Sequence, residues 1–590
     1  MFVAVLLILV LSIDIYNYVL WFLSLSILFL LVLCFLNKQI SFNPLTLLVA
    51  IFLSLLIVNM IFIRPVDNAE ADYLIWLFAG GFLLCTYADE KFIKHSLYSL
   101  IGIFIFLSIW GLIQYISGDA YLIDMKHRAN SIFITPNTFA ASTNCILLPT
   151  IVVYLLGKSN KYLLFVLLII FSALLVTQSR GGWIAFISGF AFVFILIKVL
   201  SIKIDRIRLK KLLAGLTMVF AIYNVFNLAE HERLNSDFSL DENMDLLVRN
   251  ESIVSTMSLR FDLYNIAWQN IKQKPLVGYG FHTYQYFKSR DQKVFYKNSV
   301  TRFVHNDYLQ LWMELGALGL ILFISFFIAM VYLLVNLSRK VSDRERTVLL
   351  SIIAGLTSFY VHALVDFVFY VPFLLLMFSC SLGLFNQTVN KYFQCKNVTS
   401  FRFIRLNLLK SLTGLMIICL LSEPAIAQLA YDEAVRRTNR LDIEGALPLY
   451  ELARRFAPYE PDYYWHEGAV LMNAVKSAKH KQSAMLADDL FAKGMAVSPF
   501  AANNRLARAE LHRDYAYALD NPEDLSTVLT WNKDALYWKP NDPVIQTEYL
   551  KTLIIMGENK MANDLLDKYL LQNPGSQELH KIKENLQKNR

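Results

Sequence analysis

A few charged and titratable side chains stand at the ends of long apolar runs, where each needs a partner. Arg180 lies in Thr177-Gln178-Ser179-Arg180-Gly181-Gly182-Trp183, between two such runs. A guanidinium held at membrane depth without an anion is costly. A bound anion would serve. Gly181 and Gly182 let the backbone come close to it and leave amides free at the start of the next helix, an arrangement suited to phosphate. The alternative is an interfacial arginine snorkelling to water. Arg260 opens a second stretch, in which Phe261, Tyr264, Ala267, Trp268 and Ile271 form one helical stripe. That spacing predicts a helix along the membrane–water interface, ending before Pro275 and a Gly278-Tyr279-Gly280 turn. The alternative is an amphipathic lid whose Arg260 is bridged to an acidic neighbour. His305 begins His305-Asn306-Asp307-Tyr308-Leu309 at the head of another apolar run. A neutral histidine there can accept a proton, although a lone histidine is more often structural. His362 and Asp366, four apart, are placed to hydrogen-bond across one helical turn, in the site or as a pair that orients loops.

These residues need a membrane framework to bring them together. Hydrophobic residues make up 56% of the 590-residue chain and charged residues only 17%. Apolar runs near twenty residues long fit bilayer-crossing helices. They fall at 2–13, 16–36, 45–63, 71–87, 97–116, 139–156, 161–177, 182–199, 212–228, 311–337, 348–364, 371–385 and 408–427. The first is short for a span and is a poor signal peptide. Alternate loops differ sharply in charge. One set, 37–44, 88–96, 157–161, 198–211, 338–347 and 386–407, carries 19 Lys and Arg, against 4 in 64–70, 117–138, 178–181 and 365–370. The positive-inside rule places the first set in the cytoplasm. The loop 229–304 and the tail 428–590 then lie outside, on the side of the residues above.

The tail has a different composition. It holds 21 Lys and Arg against 23 Asp and Glu, so the chain's net charge of +8 comes from the first 427 residues. Orientation signals account for that excess better than a nucleic-acid surface. Prolines 458, 499, 540 and 574 set a phase in the tail. Ala446, Tyr450, Ala453 and Pro458 stand at offsets 0, 4, 7 and 12; Ala487, Phe491, Gly494 and Pro499 repeat them. Val528, Asn532, Ala535 and Pro540, then Ala562, Leu566, Tyr569 and Pro574, complete the series. Small residues let helices approach, a large one fills the gap, and proline ends the second helix of each pair. The pattern resembles tetratricopeptide repeats, with two spacings of 41 residues that require longer helices or loops. Such a domain either offers a concave surface to a partner or stabilises the membrane part. None of the six cysteines lies in the tail, and the chain has no C-x-x-C, H-E-x-x-H, P-loop or G-x-S-x-G motif.

Taken in order, Ser179-Arg180-Gly181-Gly182, Arg260 with Trp268 and the Pro275…Gly280 turn, and His305-Asn306-Asp307-Tyr308-Leu309 resemble the O-antigen ligase superfamily. Arg128-Ala129 with Thr135-Pro136-Asn137 is similar to its first outer-loop motif, and His362…Asp366 to its late motif. The resemblance covers about 120–390. It implies an all-α, GT-C-like polytopic membrane fold of about 12–13 transmembrane helices, to which the soluble repeat domain is appended. It also implies a polyprenyl-pyrophosphate-linked glycan donor used at the periplasmic face of the bacterial inner membrane. On that basis Arg180 and Arg260 bind the pyrophosphate and His305 activates the acceptor. Arg128, Asn137, Asn306, Tyr308, His362 and Asp366 are expected around the substrate. Neither cofactor nor metal is expected, since arginines can neutralise the leaving group and the pyrophosphate bond already holds the energy.

The repeat tail leaves the acceptor open among a lipid core, a protein and a growing glycan, and it offers a place for an envelope protein. A protein O-oligosaccharyltransferase and an O-antigen polymerase are therefore carried beside the ligase. A non-catalytic scaffold explains the tail but not the polar motifs. A transporter predicts polar groups deep within spans.

Overall fold

A computed structural model describes residues 25, 28, 43–63, 69–117, 128–133, 135–157, 162–237, 259–291, 302–393, 407–478 and 480–588. It is all-α, with no strand among the described residues. The membrane part comprises α1 (Pro44–Val58, continued by a π turn Asn59–Ile63), α2 (Ala69–Tyr87), α3 (Glu90–Ser117), α4 (Pro136–Leu156), α5 (Leu163–Val176), α6 (Arg180–Val199) and α7 (Arg206–Asp237). An outer layer follows: α8 (259–273) and the short α9 (Tyr284–Asp291). The chain then returns through α10 (Asp307–Leu337), α11 (Asp343–His362) and α12 (Pro372–Asn390). Every run read as a span from 45 onward falls on a helix; 2–13 and 16–36 lie outside the described residues. Seven of the described helices are long and apolar enough to cross a membrane. The chain is a multi-pass membrane protein.

α4 and α11 form the centre of the bundle. The first turns of α4 are built of small and hydroxyl side chains, Ala140, Ala141, Ser142 and Thr143, all buried. They admit α6 so closely that a Cβ on Gly182 would come within 2.6 Å of the Ala140 methyl. Close approach through small residues is how helices gain contact where lipid removes the hydrophobic drive. Asn144 spans the same contact, its amide donating to the Gly182 carbonyl at 2.8 Å.

α10 departs from the single span expected at 311–337. Gly316 has φ 71° and ψ −175°, so the helix is broken after its first turns. The Pro275–Gly280 turn fits into the break. The amides of Tyr279 and Gly280 donate to the carbonyls of Met313 and Glu314, and that of Ala317 to Pro275. A Cβ on Gly316 would stand 2.0 Å from the Leu276 carbonyl oxygen. Only glycine meets both demands, positive φ and backbone contact.

The tail is a stack of helical hairpins. α13 (Asn407–Asn439) pairs with α14 (Ile443–Phe456), α15 (Pro461–Ala478) with α16 (Lys481–Val497), α17 (Ala502–Asp514) with α18 (Leu525–Trp538), and α19 (Pro543–Ile555) with α20 (Asn559–Gln572); α21 (Gln577–Lys588) closes the stack. The phase residues lie in the second helix of each hairpin. Ala446, Tyr450, Ala453, Ala487, Phe491, Val528, Asn532, Ala535, Ala562, Leu566 and Tyr569 are all buried, and each proline stands two residues past a helix end. The long spacings have separate causes: α15 and α16 run to 18 and 17 residues, and a ten-residue connection, 515–524, follows α17. α13 runs across the boundary expected at 427/428, with Pro424 inside it.

The repeats also touch the outer layer. Tyr286 on α9 stacks on Phe500 with ring centroids 4.2 Å apart, and Phe287 meets Trp538 edge-on. Tail and outer layer therefore share one end of the bundle.

Candidate functional site

Three helix N-termini gather at that end. Thr135 caps α4, accepting from the Thr138 amide, with Pro136 in the first turn where no amide hydrogen is needed. Ser179 caps α6 through the Gly182 amide. Asn306 caps α10 through the Leu309 amide at 3.1 Å. The first two caps are joined: Asn137 Oδ1 accepts from Ser179 Oγ at 2.9 Å and from the Arg128 guanidinium at 3.0 Å. Arg128 Nε donates to the Thr177 carbonyl, and the Ala129 amide to that of Val176. The first outer segment is thus tied to the Thr177–Ser179 connection, where Gln178 adopts φ 49° to reverse the chain.

Arg128 stands among positive charges. Burial, and then the nearby charges of Arg180 and Arg260, hold its guanidinium below the usual arginine range, while Asp366 acts the other way. Arg180 and Arg260 make no hydrogen bond or ion pair among the described residues. Three arginines from three separate segments therefore face one region, with only Arg128 tied into the protein. Cations gathered at convergent helix N-termini are an arrangement suited to an anion.

The histidine lies beside it. His305 Nδ1 is 3.0 Å from Asp366 Oδ1, with the two side chains 20% and 9% exposed, so the pair is sheltered yet reachable. Asp366 also accepts from the Phe367 amide. Burial alone would raise the Asp366 carboxyl. The hydrogen bond from His305, and the charges of His305, His362 and Arg260, outweigh it and hold the group well below the usual carboxylate range. An ionised Asp366 fixes the hydrogen of His305 on Nδ1 and makes Nε2 the basic nitrogen. The His305 backbone is strained at φ 58°. The Tyr264 hydroxyl donates to the His305 carbonyl at 3.0 Å, and the Asp307 amide donates to that of Ala363 at 2.8 Å. The segment bearing the histidine is thus clamped between α8 and the loop after α11.

This geometry corrects one expectation. The His362 and Asp366 side chains do not bond to each other: the Asp366 amide donates to the His362 carbonyl at 3.0 Å, and the Asp366 carboxylate turns to His305, 61 residues away in the chain. His362 is 1% exposed; its Nδ1 has no hydrogen-bond partner among the described residues, and its Nε2 lies 3.4 Å from where a Cβ on Gly181 would stand. The other expected residues divide by placement. Asn137 and Asn306 hold helix starts, and the Tyr308 hydroxyl points into the bundle, donating to the Tyr360 carbonyl at 3.0 Å.

On α8 the packed face is Leu263, Ile266, Ala267, Asn270 and Ile271, whereas Phe261 and Trp268 of the expected stripe are exposed, as are Leu276 and Val277. Two buried acids escaped the sequence reading. Glu314 accepts from the amides of His282 (2.8 Å) and Tyr284 (3.1 Å), the Tyr370 hydroxyl (2.7 Å) and Gln310. Asp307 accepts from the Phe369 amide. Glu314 lies in an apolar run, where an acid signals a fixed network, and Asp307 stands just before it. Here the network fastens the 280–284 loop and the turn after α11 to α10.

Residues 165–324 match the family described as O-Antigen ligase (Wzy_C). The matched segment contains Arg180, Arg260 and His305; Arg128, Asn137, His362 and Asp366 flank it. The match supports a role in glycosyl transfer of the ligase or polymerase type. No curated protein matches the chain. Among solved structures it is similar to the crystal structure of yeast Tom70, at 10% identity over 88% of this chain and 96% of that one; the TM-score is 0.20, too low to bear on the fold.

Proposed function

We propose that the protein transfers a glycan from a polyprenyl-pyrophosphate carrier to an acceptor hydroxyl, as an O-antigen ligase-like enzyme of the bacterial inner membrane. The observation that carries this reading is the His305–Asp366 pair set beside three arginines at convergent helix N-termini. Arg180 and Arg260 receive the pyrophosphate, and Arg128, held by Thr177 and Asn137, adds fixed positive charge behind them. His305 Nε2 takes the proton as the acceptor oxygen attacks the anomeric carbon. The bond from that carbon to the phosphate oxygen breaks, and its electron pair leaves with the lipid pyrophosphate. Asp366 stabilises the imidazolium that forms. Charge-assisted contacts to the leaving group do what a metal does elsewhere.

In this reading residues 1–427 are the transfer domain and 428–590 a periplasmic repeat domain. The docking of the repeats on α9 supports placing tail and site on one side of the membrane. The same docking favours an acceptor or envelope protein brought in by the repeats, so protein O-oligosaccharyl transfer and chain polymerisation stay beside lipid-core ligation. The test is transfer from purified lipid-linked glycan by detergent-solubilised enzyme, with EDTA and without nucleotide. Arg180→Ala and Arg260→Ala should each lose about a hundredfold in rate, and the lysine variants should recover only part. His305→Ala should block transfer while donor binding persists. Wild-type turnover in His305→Ala, or dependence on a divalent ion, would overturn the mechanism.

A further inference from the structure

The contact between repeats and outer layer centres on Arg290, near the end of α9. Its guanidinium donates to the Tyr537 hydroxyl at 3.1 Å and lies over the rings of Phe287, Tyr537 and Trp538, at 5.0, 5.6 and 5.7 Å. On its other side the same group donates to Asn270 Oδ1 at 2.9 Å, and Asn270 Nδ2 donates to Asp291 Oδ2 at 2.8 Å. Asp291 closes the ring by accepting twice from Arg290, at 2.5 and 2.7 Å. Asn270 is 1% exposed and belongs to α8, the helix that carries Arg260 near its start. One planar fork therefore joins the third hairpin of the tail to the arginine-bearing helix. Trp538 also packs on the apolar cluster of Leu263, Ile266, Ala267 and Ile271, so the repeats complete the core on which α8 rests.

We infer that Arg290 is a positioning residue for the donor site: it makes the reach of Arg260 toward the pyrophosphate depend on the seating of the repeat domain. The inference rests on Arg260 as a donor ligand. Ten residues of helix separate Asn270 from Arg260, a lever of about 15 Å. A tilt of about 4° at Asn270 moves the arginine end by about 1 Å, and a misplacement of that size can cost on the order of a hundredfold. The repeats are then more than an appended surface. Whatever loads or pulls on them acts on donor affinity through α9 and α8.

The experiment uses the full chain in nanodiscs and inhibition of transfer by polyprenyl pyrophosphate bearing no glycan. Arg290→Ala and Trp538→Ala should raise the inhibitory concentration about tenfold and lower turnover at saturating donor as well. Arg290→Lys keeps the charge but not the fork and should behave like alanine. Tyr537→Phe, which removes a single hydroxyl, should give a smaller shift in the same direction at an unchanged melting temperature. Wild-type inhibition in Arg290→Ala, with inhibition lost in Arg260→Ala, would overturn the coupling and leave the donor reading standing. Wild-type inhibition in Arg260→Ala would overturn the donor reading and the coupling with it. A loss in Arg290→Ala that only follows a lowered melting temperature, with Tyr537→Phe silent, would also overturn the coupling.

Discussion

Replacing Asp366 by Asn separates charge from shape at the histidine. The amide is nearly isosteric and its oxygen can still accept from His305 Nδ1 and from the Phe367 amide, so the ring stays in place. The carboxylate's charge is lost. With Nδ1 and Oδ1 3.0 Å apart, the charge centres of imidazolium and carboxylate lie about 4 Å apart. At an effective dielectric constant of about 20 their attraction is about 4 kcal/mol. That attraction exists only once His305 has taken the acceptor's proton, so its loss falls on the transition state. At 1.36 kcal/mol per tenfold, kcat should drop by roughly a thousandfold. Donor affinity should hold or improve, because Arg260 also loses a competing anion. The assay is single-turnover transfer from lipid-linked glycan at saturating acceptor, with inhibition by polyprenyl pyrophosphate as the binding control. Asp366→Ala, which removes the orienting contact as well, should be slower still. A kcat within threefold of wild type in a stably folded Asp366→Asn would show that no imidazolium forms beside this carboxylate, and His305 would lose its role as base.

Other consequences lie outside the chemistry. Gly316→Ala should lower the melting temperature and be harder to tolerate than substitution at an ordinary helical glycine: its Cβ would stand 2.0 Å from the Leu276 oxygen at a φ of 71°. A loss of less than about 0.5 kcal/mol would refute the need for that approach. Glu460, in the turn between α14 and α15, is pushed up to about 7 by burial and by Asp462, from an ordinary 4.5. Its folded form holds a proton between those values that the unfolded chain has released. Its contribution is therefore complete below about pH 4.5 and lost as pH rises through about 7. The thermal stability of the tail, followed in the full chain, should fall over that range by no more than about 3 kcal/mol, and Glu460→Gln should flatten the profile. Reporter fusions after residues 205, 342 and 396 should read cytoplasmic, and those after 240 and 450 periplasmic. A cytoplasmic tail would overturn the proposed orientation.

Much of the fold was legible because its signals are local. A run of apolar residues is enough to mark a membrane helix, and small residues at offsets 0 and 7 with a proline at 12 are enough to mark the closing helix of a hairpin. The site was legible in its members but not in its pairings. His362 and Asp366 are four apart and suggest a side-chain contact across a turn, yet only their backbones bond, and the packing of α10 on α11 brings the Asp366 carboxylate to His305. Gly316 reads as one more small residue in a span, because its role depends on a turn 38 residues earlier. The α8 stripe was legible as a helix but not in its packed face: Phe261 and Trp268 stand on the exposed side, where an interfacial helix can present them to the membrane, and Leu263, Ile266 and Asn270 complete the packed one. Glu314 left a readable trace, an acid within an apolar run, whose partners could not be read.

The placement of charge explains why the site is built from helix ends rather than from a mobile loop. Burial first, and then the charges of Arg180 and Arg260, lower the proton affinity of Arg128, and the Asp366 carboxylate acts against them. Folding has to hold that arrangement against its own repulsion. The rigid parts do so: the Thr177 carbonyl and Asn137 hold Arg128, the Ser179 cap fixes the residue before Arg180, and α8 carries Arg260 on a helix braced by the repeats. On the proposed reading, an arriving pyrophosphate relieves the repulsion, and relieves it most when charge has built up on the departing oxygen. Contacts that strengthen as the bond breaks lower the barrier rather than only tightening the complex. On this argument, loosening any one brace should lower transfer even though every arginine is still present.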